Sequence, residues 1–416
     1  MRIAVVGAGI SGLVTAYLLC EEHEVTVFEQ NDYIGGHTRT VDVASGGRNL
    51  AVDTGFIVFN QKTYPNFIRL LKRLDVPWQP SVMSFSVQSE KTGLEFSPSN
   101  LNSIFAQRRN LLRPAFYRML WDVFRFKRES AALLSESSDS LTLGAYLENQ
   151  KYSRFFIDHF IIPMGGAIWS ADYRKFFEFP ARYFVQFFTN HGFLNVRDQP
   201  QWLVIRGGSR RYVEKLIQPF RNGIRLNCPV KTIRRSDEAV HLTGPDGTSE
   251  SFDHVVIAAH SDQALAMLGD PDPVEREILG AISYQLNRVM LHTDRSLLPA
   301  RRSVWASWNY HIPAEKTDCG AVTYNMNILQ SLKASEQYLV TLNRKDRIDP
   351  QKVIRDLLDH HPVYTPPSLA ARKRLSEING RRRTYYCGAY WRYGFHEDGV
   401  NSALEVCKHF GKGLDG

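Results

Sequence analysis

The stretch IAVVGAGISGLVTAYLL, from Ile3 to Leu19, restricts the possible folds more than any other part of the chain. Arg2 to Val6 is short, apolar and β-branched, which suits a strand buried in a parallel sheet. Gly7, Gly9 and Gly12 follow in GxGxxG spacing, and Leu13 to Leu19 then reads as a helix. Gly7 permits the tight turn, Gly9 lets a pyrophosphate approach the backbone, and Gly12 lets the helix pack close to the strand. The helix N-terminus offers unpaired N–H groups and a positive dipole end to phosphate, and Ile10 and Ser11, leading into it, are expected among the cofactor-binding residues. A second strand follows at EVTVF, Glu24 to Phe28, with Glu29 and Gln30 at its end. A carboxylate there can accept hydrogen bonds from a ribose, and it disfavours a 2′-phosphate, so NADP is the poorest candidate. A lone glycine motif is weak evidence, but strand, turn, helix, strand and terminal acid in register describe a dinucleotide site.

The next residues, QNDYIGGHTRT, carry a second glycine pair, Gly35 and Gly36. The pair leaves room for backbone to pass close to a ligand, the hydroxyls of Thr38 and Thr40 and the Arg39 side chain can reach phosphate or ribityl oxygens, and His37 is expected among the cofactor-binding residues. An acid, a short spacer and Gly-Gly at this place resemble the flavin amine oxidoreductase superfamily. That group spans amine oxidases, protoporphyrinogen oxidases, phytoene-type desaturases and the GDP-dissociation inhibitors. Three further stretches carry the resemblance in the same order. VDTGFIVFN resembles the segment beside the isoalloxazine, with Gly55, Phe56 and Ile57 close to the ring. NCPVKTIRR and FDHVVIAAH resemble a strand pair in which Val230 meets the adenine. TYYCGAYWRYGFHEDGVNSALEVCKHF resembles the closing segment. There Gly388 would lie by the pyrophosphate, and Gly399 and Val400 would open a helix facing the flavin pyrimidine. Glu397 would bond cofactor hydroxyls. The resemblance implies FAD, held noncovalently because Cys387 sits too close to Gly388 to match a covalent attachment.

The cofactor motifs fall near both ends and in the middle, so an α/β fold with a discontinuous Rossmann-type FAD-binding domain is expected at 1–80, 200–283 and 376–416. The remainder, 81–199 and 284–375, is expected to be an α+β substrate domain with a mixed sheet and helices. It is entered by strand-like runs around the EKTG turn, continues through helical, aromatic-rich sequence from Leu101 to Phe193, and has strands within 302–330. WLVIRGGSRRYV reads as a turn into the second cofactor segment rather than as catalytic sequence.

A formal charge of +8 suits an anionic partner: a phosphorylated cofactor, an acidic lipid surface or nucleic acid. The basic residues are spread out, without zinc-finger spacing or ribonucleoprotein motifs, so nucleic acid is not expected. The five cysteines are scattered and form no CxxC pair, which argues for free thiols in a reducing, cytoplasmic setting and against a metal site. The N-terminal apolar run is broken by glycines, unlike a signal peptide, and no apolar run is long enough for a membrane span. In NLLRPAFYRMLWDVFRFKRES, the residues Phe116, Met119, Leu120, Val123 and Phe124 share a helical face, among Arg113, Arg118, Arg125, Lys127 and Arg128. This helix would allow peripheral contact with an anionic membrane, and the alternative is an ordinary core helix with a solvated basic face.

The stretches expected to wall a substrate cavity are 163–173, 179–194, 307–311 and 390–395, with Trp169, Trp308, Trp391 and Phe395 as lining residues. They are aromatic and nearly free of carboxylates, which suits an apolar small molecule or lipid and gives an ammonium ion little to bind. The resemblance also implies a lysine near flavin N5 in amine oxidases, where the nearest basic residue here is Arg288. Phe395 stands where those enzymes have a substrate-flanking tyrosine. His396, Glu397 and Asp398 read more readily as first-turn helix partners than as acid/base groups, and no catalytic residue is assigned. The leading expectation is FAD-dependent dehydrogenation or desaturation of an acyl chain or isoprenoid. Amine oxidation with peroxide release and redox-silent lipid binding of the GDP-dissociation-inhibitor kind are the alternatives.

Overall fold

A computed structural model describes residues 1–135, 141–169, 176–194, 199–314 and 321–415. One layer is a parallel sheet in the order Ile224–Arg225, Glu24–Phe28, Arg2–Val6, His254–Ile257, Thr384–Tyr386. Its strands come from three distant parts of the sequence. Ile3, Ala4, Val5 and Val27 are fully buried, as expected of strands covered on both faces. The helix Ile10–Leu19 packs on this sheet beside the C-terminal helix His396–Lys408.

The helix start differs from expectation at both places where a ligand would meet it. The first helix begins at Ile10 rather than Leu13. The closing helix begins at His396 instead of at Gly399 and Val400, because the Asp398 carboxylate accepts the Phe395 N–H at 3.0 Å and caps the turn earlier. The expected strand pair is also two separate elements. Thr232–Arg235 joins Val240–Thr243 and Ser249–Phe252 in an antiparallel sheet of its own, while His254–Ile257 belongs to the parallel sheet.

The second layer is a mixed seven-stranded sheet ordered Val353–Pro362, Tyr284–His292, Leu339–Leu342, Ala321–Asn325, Trp308–Ile312, Phe85–Ser89, Glu95–Phe96. All its neighbours run antiparallel except Trp308–Ile312 against Phe85–Ser89. Helices between Pro114 and Asn190 cover it through an apolar core that includes Phe116, Phe126, Phe156, Phe184 and Val322. Thr40–Ser45 and Arg48–Asp53 form a hairpin between the layers. There Asp53 is fully buried and gathers Thr40, Ser209 and Gln330, so that the Gly-Gly-Ser turn, the hairpin and the second layer meet at one carboxylate. Burial pushes that carboxyl up to about 6 despite these donors. Among the described residues no helix is long and apolar enough to cross a membrane.

Candidate active site

Between the two layers lies a cavity of about 820 Å³. Its first part is a backbone cradle of Gly7, Ala8, Gly9, Ile10 and Ser11, with Gly35, Gly36, His37 and Arg39 opposite. Gly7 has φ +109°, and a β-carbon there would meet the Ala258 oxygen at 2.8 Å, so the turn requires glycine. Glu29 and Gln30 line the far end with Val230, and the Glu29 carboxylate accepts the Ala8 N–H at 2.8 Å and the Asn31 N–H at 2.9 Å. The Asn31 side-chain amide donates to the same Oε1 at 2.7 Å, so these bonds hold the acid in place and leave a lone pair on Oε2 for a ribose hydroxyl.

Gly55, Phe56, Ile57, Gly388, Phe395 and His396 line the middle region together. His396 stacks on Phe56 at 3.5 Å between centroids. Its Nε2 lies 2.9 Å from the Thr38 hydroxyl and 3.1 Å from the Tyr212 hydroxyl. Burial drives the imidazole well below its ordinary range, which favours the neutral ring between those two hydroxyls. Thr38 thus acts behind the wall rather than in it.

Several expected contacts lie elsewhere. Glu397 turns away from the cavity. Its two oxygens take the Asn66 and Phe67 N–H groups at 3.0 and 2.8 Å, capping the helix Pro65–Arg73, so it has no oxygen turned toward cofactor hydroxyls. Gly12, Gly399 and Val400 are packing positions: a β-carbon at Gly12 would meet the Gly7 oxygen at 2.0 Å, and one at Gly399 would meet Ile10 at 2.6 Å. Trp391 sits in the core beneath the parallel sheet against Tyr390 and does not line the cavity. Arg288 points outward to Asp356 at 2.6 Å, and no lysine lines the cavity among the described residues.

The far chamber is aromatic. Trp169, Phe187, Phe193, Trp202, Trp308, Tyr324, Tyr364, Tyr393 and Phe395 contribute to it. Phe395 stacks on Phe187 at 5.0 Å, and Trp169 leans on Phe187 at 4.6 Å. Of the expected wall stretch 163–173, residues from Ser170 onward lie outside the described residues. Among the described residues the carboxylates lining the cavity are Glu29 and Asp359, the latter bound to Arg39 at 3.3 Å.

Sequence reasoning reached His191 only as part of the expected wall stretch 179–194, and it missed Asp359, His360 and His361. His191 lines the chamber, stacks on Phe187 at 3.9 Å, and has Nδ1 3.0 Å from the Phe187 carbonyl. An Nδ1–H donating to that carbonyl leaves Nε2 as an acceptor, and burial pushes the ring down to about 4. The edge strand brings Asp359, His360 and His361 to the cavity across the sheet boundary. The HHP run was a visible signal, but its placement depends on strand pairing that sequence does not give.

The cavity fits FAD on this chain's own geometry: a cradle with nothing within 4 Å of a β-carbon at Gly9, an acid at the ribose position, and a helix N-terminus at the other end. Cys387 is buried beside Thr15, outside the cavity, and burial pushes its thiol up to about 12, as suits noncovalent binding.

Comparison with known proteins agrees. The family of flavin containing amine oxidoreductases matches residues 10–409. A comparison with curated proteins gives no match. Among solved structures, cyclohexylamine oxidase from Brevibacterium oxydans IH-35A superposes with a TM-score of 0.70 at 16% identity, covering 99% of each chain. A CLA-producing fatty acid isomerase from P. acnes gives 0.68 at 17% identity over 98% of each chain. Putrescine oxidase with bound putrescine gives 0.69 at 14% identity over 99% of each. At these identities the structures show a shared fold, while the sequence match shows the family. The chain belongs to the flavin containing amine oxidoreductases and is an FAD-dependent oxidoreductase.

Proposed function

We propose that this oxidoreductase dehydrogenates an apolar, lipid-like substrate, an acyl chain or an isoprenoid. One observation carries the reading: the chamber beyond the cofactor cradle is walled by aromatic rings, and of the two carboxylates that line the cavity among the described residues, Asp359 is paired with Arg39 and Glu29 stands at the ribose end of the cradle. An ammonium ion brought there would lose its hydration without gaining an anionic partner, whereas a hydrocarbon would gain about 25 cal/mol per Å² of surface removed from water. Bound FAD supplies the hydride acceptor, N5. Trp169, Trp308 and Phe395 hold the substrate and exclude water, and His191 Nε2 takes the proton that desaturation releases in addition to the hydride. Likeness to a fatty acid isomerase supports an apolar occupant without naming it.

Amine oxidation is the second reading, supported by the likeness to cyclohexylamine and putrescine oxidases. Anaerobic bleaching of the flavin against panels of fatty acids, isoprenoids and amines separates the two. Bleaching by an apolar chain and not by amines supports dehydrogenation of lipid. Bleaching by amines alone, with peroxide on admission of oxygen, would replace it with the second reading.

A further inference from the structure

The helix Pro114–Glu129 does not use its apolar residues as the sequence suggests. Phe116, Met119 and Phe126 are buried in the second-layer core. The opposite stripe, at i, i+4 and i+7 spacing, consists of Tyr117, Trp121 and Phe124, of which Trp121 is 56% and Phe124 59% exposed. Phe124 therefore leaves the face it was expected to share. Just before the helix, Leu111 and Leu112 also face outward, with Leu112 89% exposed, and Leu101 projects from the short helix Leu101–Ile104. Six large apolar side chains thus stand clear within 101–124.

The surrounding charge is mostly basic. Residues 101–129 contain seven basic side chains and two acids: Asp122 is fully buried and meets Arg118 and Arg125, and Glu129 pairs with Arg125 and Arg128. Arg108 reaches the Phe105 carbonyl and Asn102, and Arg109 reaches the Gly93 carbonyl, so neither meets a carboxylate in these contacts. Beside them a pocket of about 520 Å³ is lined by Gln107, Arg108, Arg109 and Arg301, the last paired to Glu95 at 2.9 Å.

We propose that this surface docks the enzyme on an anionic lipid bilayer, with Leu112, Trp121 and Phe124 seated at the headgroup–acyl boundary and the arginines against lipid phosphates. Exposed leucine with interfacial tryptophan and tyrosine, bordered by cations, is the composition that partitions to such a boundary. The occupant is argued from charge. A second copy meeting this face about a twofold axis would set basic stripe against basic stripe, and an acidic protein would leave the protruding leucines unmatched. The docking stands independently of which substrate the cavity takes.

The test is co-sedimentation of the purified holoenzyme with vesicles of phosphatidylcholine alone and with added phosphatidylglycerol. The expected result is binding to the anionic vesicles only, weakened by salt. Tyr117→Ser, Trp121→Ser and Phe124→Ser combined should weaken it by more than about tenfold. Arg108→Gln and Arg109→Gln should each weaken it about fivefold. Flavin content and melting temperature, checked on each variant, should stay at wild-type values, since every altered side chain is exposed or bonded only at the surface. Three results would overturn the proposal: no binding to anionic vesicles, equal binding by the triple variant, or a dimer in solution that the triple variant dissolves.

Discussion

Arg39 reaches Asp359 across 3.3 Å, tying the loop after the second glycine pair to the edge strand of the larger sheet. His37 stands 3.8 Å from the same carboxylate. The pair therefore closes the cavity between layers as well as neutralising a carboxylate at its wall. Replacing Asp359 by Ala leaves a mostly covered guanidinium without its anion, at a cost of about 1–3 kcal/mol. The expected outcome is a lower melting temperature and faster loss of FAD on dilution, followed by flavin fluorescence. Unchanged melting and retention would show that the layers are held together elsewhere.

Two glycines of one motif should fail in different ways. A β-carbon at Gly12 would strike the Gly7 oxygen at 2.0 Å, so Gly12→Ala should disturb the strand–helix contact itself and lower stability with or without cofactor. A β-carbon at Gly9 meets nothing within 4 Å, and the residue lines the cavity. Gly9→Ala should fold normally but bind FAD more weakly, because the added methyl occupies the approach of the pyrophosphate. Circular dichroism and the visible spectrum distinguish the cases. A Gly9→Ala protein that is unfolded, or one that keeps full flavin affinity, would contradict this division.

Legibility followed locality. The glycine cradle and Glu29 could be read because one strand, one turn and one helix place them within a short stretch, as the register Ile3 with Val25 makes plain. The aromatic walls at Trp169, Trp308 and Phe395 were legible as a set, because large rings of low polarity must be buried somewhere. What could not be read depended on competition among partners. Glu397 looked available to a ligand, but two backbone N–H groups from Pro65–Arg73 claim it. Trp391 is one residue from Tyr390, which lines the cavity, yet a single turn sends it into the core instead. Asp359 and His361 come to the site only through pairing of Val353–Pro362 with Tyr284–His292, a contact made far along the chain.

His191 gives the proposed reaction a readout of its own. Its Nδ1 is committed to the Phe187 carbonyl at 3.0 Å, and the ring is pushed down to about 4 by burial, so Nε2 is unprotonated throughout the neutral range. His191→Phe preserves the stacking volume and removes the acceptor. Flavin content should be unchanged, while the rate of anaerobic flavin reduction falls by about 10²–10⁴. In the wild type, this group should add no pH dependence above about pH 5. Reduction of the His191→Phe flavin at the wild-type rate would remove His191 from the chemistry and leave it a packing residue.

Asp398 should make stability depend on pH with a definite sign. Its carboxyl is pushed up to about 7, chiefly by burial, although it accepts the Phe395 N–H at 3.0 Å. An unfolded aspartate titrates near 3.9, so between about pH 4 and 7 the folded state holds a proton that the unfolded state has lost. Stability from this group is therefore complete below about pH 4 and disappears as pH rises through 7. The buried histidines act the other way: His191, His260 and His292 are each pushed down to about 4, and they weaken the fold as pH falls from about 6.5 toward that value. Asp398→Asn isolates the first effect, since asparagine cannot ionise and its carbonyl still accepts the Phe395 N–H. Its melting temperature should match the wild type near about pH 4 and exceed it above about pH 7, where at about 1.4 kcal/mol per unit the difference reaches a few kcal/mol. A difference between the two proteins that does not change across that window would mean that Asp398 stays ionised in the folded state, stabilised by the N-terminus of its own helix.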